Sequence, residues 1–161
     1  MIRFLPASFF AWCHDSAISE WINTSVWAFA IIETFHILAL TVLLGTVVAL
    51  DLRMLGIRSY RQSTAELAQE LMPFTVAALV VLIVTGIPMF MSQAIRYSQS
   101  VSFLVKMTLL VLTIAFHFTI YRNVTMANGD VRGRIGRLAA SLSLMCWFGV
   151  ALAGRGIAFL P

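Results

Sequence analysis

Residues 26–50 read VWAFAIIETFHILALTVLLGTVVAL, an apolar run holding one acid, Glu33, and one histidine, His36, before Asp51 and Arg53 end it. About 20 apolar residues, each rising about 1.5 Å in a helix, cross a hydrocarbon layer about 30 Å thick. The run is therefore read as a transmembrane helix. Three further stretches, near 72–95, 101–121 and 138–159, have the same character. Of 161 residues, 60% are hydrophobic and only 11% charged, where soluble domains carry about 25% charged. The expected fold is all-α: an integral membrane, antiparallel four-helix bundle over residues 25–161. Residues 1–24 mix Phe9, Trp12, Ile18 and Trp21 with His14, Asp15 and Glu20. They are too polar to span, and read as a short amphipathic helix lying in the interface.

The connections carry their own signals. Ser63-Thr64-Ala65-Glu66 has the capping-box spacing. Thr85-Gly86-Ile87-Pro88 should kink the second span, because proline removes a backbone donor. Asn128-Gly129-Asp130 reads as a turn. Gly45-x-x-x-Ala49 and Gly149-x-x-x-Ala153 have the spacing that lets membrane helices approach closely. Two cysteines, Cys13 and Cys146, are too few for a disulfide framework. No cleavable signal peptide is expected ahead of residue 26.

A net charge of +4 does not imply nucleic acid, because the arginines sort by loop. Arg53, Arg58 and Arg61 follow the first span; Arg122, Arg132, Arg134 and Arg137 follow the third. The other side has Arg3, Arg96, Lys106 and Arg155. Arginine-rich loops stay in the cytoplasm, so both termini are expected outside, in a bacterial inner membrane. The lipid bilayer is the first partner, with membrane or periplasmic protein subunits beyond it and no nucleic acid.

Ionisable residues inside spans are functional-site candidates. Glu33 and His36 lie three residues apart and share a helix face, the spacing of helical metal sites. Lys106 and His117 lie almost three turns apart on one face of the third span. Glu33, Lys106 and Arg155 fall in the outer half, where one acid and two bases can form a buried ion-pair network. Alternatively, Lys106 and Arg155 hold the propionates of a haem b whose iron His36 binds, with Glu33 in support. His36 and His117 are the candidate metal ligands. A shared iron is disfavoured by a height difference of about 15 Å between them. Otherwise His117 is an inner-side polar residue beside Tyr121 and Arg122. Met107, His36 and one of Met89 and Met91, which point to different helix faces, suit copper as an alternative, and binding no cofactor at all is the third option.

Glu33-x-x-His36, followed by Asp51-Leu-Arg-Met-Leu-Gly56, resembles the first span of an uncharacterised family of small four-helix bacterial inner-membrane proteins. Thr85-Gly86 and Phe103-Leu-Val-Lys106 also fit that family. A looser, architectural similarity links the chain to b-type cytochromes and copper-resistance membrane proteins. The resemblance implies fold and compartment, with no activity attached.

No nucleophile–base pair or phosphate loop points to a self-contained enzyme. The leading expectation is a redox-associated membrane subunit that passes electrons between the membrane pool and an outer-side partner. The alternatives are a cofactor-free accessory or assembly subunit, or a copper or proton pathway through the outer polar cluster.

Overall fold

The structure, a computed structural model, describes residues 6–57, 63–126 and 133–156. Four helices in it are long and apolar enough to cross a membrane. They are α3 (Ala28–Met54), α4 (Thr64–Ser92), α6 (Val101–Phe116), extended by a π-helical turn (His117–Tyr121), and α8 (Arg134–Gly156). Shorter helices flank them: α1 (Ala7–His14), α2 (Ala17–Thr24), α5 (Ala94–Gln99) and α7 (Arg122–Met126). Among the described residues no strand is present. The protein is an all-helical, multi-pass membrane bundle.

The segment expected to form one interfacial helix divides in two at Asp15 and Ser16. Ser16 ends its helical backbone there, and its hydroxyl accepts from the Ser19 amide to cap α2. Both short helices pack against one end of the bundle, α1 on α4 and α5, α2 on α3 and α4. Asn23 donates to the Ser92 carbonyl, and Phe10, Phe90, Tyr97 and Phe103 form a run of ring contacts there. Trp12, Trp21 and Trp27 stay exposed around that end, as amphipathic rings do at headgroup depth.

Helix α4 starts eight residues earlier than the apolar pattern. The capping box forms as the sequence spells it: Ser63 Oγ accepts from the Glu66 amide, and Glu66 accepts from the Ser63 amide. The helix continues through Pro73 and Pro88. The turn expected at 128–130 lies outside the described residues.

Packing is closest between α3 and α4, with α8 joining α3 to α6. Thr75 Oγ1 donates to Thr46 Oγ1, tying α3 to α4. The close approach expected at Gly45 does not occur: Gly45 is exposed, with open space where a Cβ would stand. Small buried residues lie elsewhere, at Gly136, Ala139, Ala140 and Ser143 of α8. Periodicity locates small residues but not the face that meets a neighbour. Cys13 is buried and Cys146 half-buried, and both are free thiols.

Candidate functional site

His36 points from α3 into the groove against α4. Its Nδ1 lies 2.8 Å from Thr85 Oγ1. The Thr85 hydroxyl has one proton, and directs it to the Val81 carbonyl at 2.6 Å. With that proton on the Val81 carbonyl, Thr85 accepts from the Nδ1–H tautomer of His36, in which Nε2 keeps its lone pair. The adjacent residue is Gly86, where an added Cβ would stand 3.4 Å from His36 Cε1. A small residue there gives the ring room to lie against α4.

Lys106 approaches from α6. Its methylenes pass over Gly154 of α8, within 3.6 Å of where a Cβ would stand. Lys106 lies within electrostatic range of the His36 imidazole. One end of the bundle thus gathers His36, Thr85 and Lys106 from three helices, with glycines at both crossings.

Glu33 is not among them. It was expected in the interior, within reach of His36, Lys106 or Arg155, but it is exposed. Three residues advance a helix by about 300°, so Glu33 projects about 60° round from His36. That offset suffices to leave the groove. Glu33 begins only five residues into α3, where its charge acts on Tyr97 of α5. Arg155 is also exposed, so the expected buried acid–base network does not form. The role foreseen for Glu33, fixing the imidazole, falls to Thr85.

His117 lies at the far end. It lines a cavity together with Val47 and Tyr121, so it is level with Val47, eleven residues beyond His36. At 1.5 Å per residue the separation is about 16 Å, too far for both rings to meet one iron. His117 instead stacks on Tyr121, with centroids 5.0 Å apart, and meets Trp147 edge-on.

Tyr121 Oη donates to Asp51 Oδ1 at 2.6 Å, and both side chains are fully buried. Ser143 Oγ sits beside both, close enough to interact with each, although it meets neither at hydrogen-bonding geometry. Asp51, read from sequence as the residue that ends the first span, is a core residue.

The profile of a family of unknown function, DUF6644, matches residues 9–160. The chain belongs to this family. No curated protein and no solved structure matches it. The DUF6644 match covers all four long helices and both polar sites. Among the described residues, no cluster of three or more histidines, cysteines or carboxylates is placed to hold a metal ion.

Four residues central to these sites in this DUF6644 chain, Thr85, Asp51, Ser143 and Trp147, were not singled out as site residues by sequence. Thr85 carried a usable signal: a hydroxyl beside a glycine in the middle of an apolar helix.

Proposed function

We propose that the protein is a redox-associated membrane subunit that binds haem b through His36. The observation that carries this reading is the 2.8 Å contact of His36 Nδ1 with Thr85 Oγ1, which fixes the ring and, in the Nδ1–H tautomer, leaves Nε2 as a neutral ligand. Metal-binding histidines are held in the same way, through the other ring nitrogen. A porphyrin supplies four of its iron's ligands and needs only one or two from protein. That demand suits a site with a single histidine better than a bare metal ion would. Lys106, the cation beside His36, supplies charge complementary to propionate groups. When bound, the haem supplies one-electron transfer, while His36 and Thr85 set its position and Lys106 screens its acid groups. Electrons pass between the membrane pool and an outer-side protein. The alternative is a cofactor-free accessory subunit.

Purified full-length protein from haem-replete cells should show a Soret band that shifts on reduction. His36→Ala should abolish it, and Thr85→Val should weaken haem affinity by about 10–100-fold. A colourless preparation, or a band indifferent to His36→Ala, would overturn the haem assignment and favour the accessory subunit.

The orientation belongs to the same reading. Arginines concentrate in the two connections at the Asp51 end, which supports a cytoplasmic position for that end in a bacterial inner membrane, with His36 toward the outside. Reporter fusions after Arg61 and after Arg132 should both report cytoplasm. An external signal at either position would reverse the assignment.

A further inference from the structure

The Asp51 end holds more unsatisfied polar chemistry than its role in the fold requires. Asp51 Oδ2, Ser143 Oγ, His117 Nδ1, Trp147 Nε1 and Thr113 Oγ1 are all buried with no hydrogen-bond partner among the described residues. Thr113, Asp51 and Ser143 have no exposed surface at all. Each orphaned group costs about 1–3 kcal/mol, and lipid offers none of them a partner. They also form a column. Tyr121, His117 and Thr113 follow one another at four-residue steps, spanning about 12 Å of helix. Beside them, Ser143 and Trp147 are four residues apart on α8.

A cavity opens onto the His117–Tyr121 part of this column, lined also by Thr46, Thr75, Arg122 and Thr125 among others. It leaves about 20 Å³ for the centre of a water molecule, enough for one water. Arg122 is exposed and marks the mouth. Toward the membrane centre, Leu43 and Ala78 are buried beneath Trp147, with Leu82 and Leu110 packed against them.

We propose that this column is a proton half-channel. Water enters beside Arg122 and reaches as far as Thr113 and Trp147, and Asp51 exchanges protons at its base. The apolar layer of Leu43, Ala78, Leu82 and Leu110 separates it from His36. The orphaned groups include both N–H donors and oxygen acceptors, and water serves both. Among the described residues, Asp51 is the one carboxylate that faces the column; Glu66 and Glu70 of α4 are exposed. This inference is independent of the haem reading, which concerns the other end of the bundle.

The test uses the unaltered full-length protein in lipid vesicles transferred to D2O, with indole N–H exchange followed by ultraviolet Raman spectroscopy. Trp12, Trp21 and Trp27 are exposed and exchange at once. Trp147 should follow within minutes, and its N–H persisting for hours would overturn the proposal. Asp51→Asn should slow the Trp147 exchange severalfold; an unchanged rate would overturn the part given to Asp51. In a Cys13→Ser, Cys146→Ala background, Ser143→Cys and Thr113→Cys should react with Ag⁺ faster than Leu43→Cys. Equal rates at all three positions would also reject water entry.

Discussion

Trp147→Ala should be the most damaging single substitution in the bundle, lowering stability by about 3 kcal/mol. Trp147 is 3% exposed and packs with Leu43, Val47 and Ala78, so it fills the space where α3, α4 and α8 meet. Removing a buried tryptophan costs about 3–5 kcal/mol in water-soluble cores, through lost transfer energy and the cavity left behind. In lipid the transfer part shrinks, because the unfolded helices are already in an apolar solvent. Lost packing remains, which puts the expected value at the low end. Leu152, on the same helix, is 71% exposed, and Leu152→Ala should change little. Unfolding in mixed micelles, read by helicity, compares the two. Equal effects would mean that Trp147 does not occupy the centre of the bundle.

Tyr121→Phe should cost about 1–3 kcal/mol, for a different reason. Phenylalanine keeps the stack on His117 but removes the hydroxyl that donates to Asp51. The buried carboxyl then loses its one partner at hydrogen-bonding geometry. Replacing both members by apolar groups avoids that penalty, so Tyr121→Phe/Asp51→Leu should be more stable than Tyr121→Phe alone. A double mutant that simply adds the two single losses would show that the pair is not coupled. The same unfolding measurement reads all four proteins.

The long helices were legible because lipid imposes length and apolarity on each one separately. Ser63 and Glu66 were legible because a capping box is local. The sites were less so, because burial depends on the neighbours. Asp51 at the end of an apolar run looks interfacial until Tyr121 and Ser143 are known to enclose it. Glu33 and His36 share a face by spacing, yet 60° of rotation puts one in a groove and the other outside. Ser143 and Thr113 are small hydroxyl residues of a kind ordinary in membrane helices, and only the loss of their partners marks them out. The height difference between His36 and His117 was readable, since it needs only residue counts and the helical rise.

The wide turn at His117–Tyr121 sets where this helix can lose a residue. Its hydrogen-bond ladder accommodates one residue more than an α-helical turn would. Deleting one residue there would restore ordinary pitch and keep the helix beyond it close to its present phase. Deleting one from the regular part of α6 would instead rotate all that follows by about 100°. Tyr121 would then swing away from α3, and Arg122 would leave the cavity mouth. Among descendants of this sequence, changes of length within this helix should therefore gather at the wide turn, while His117 and Tyr121 stay held by their contacts with each other and with Asp51.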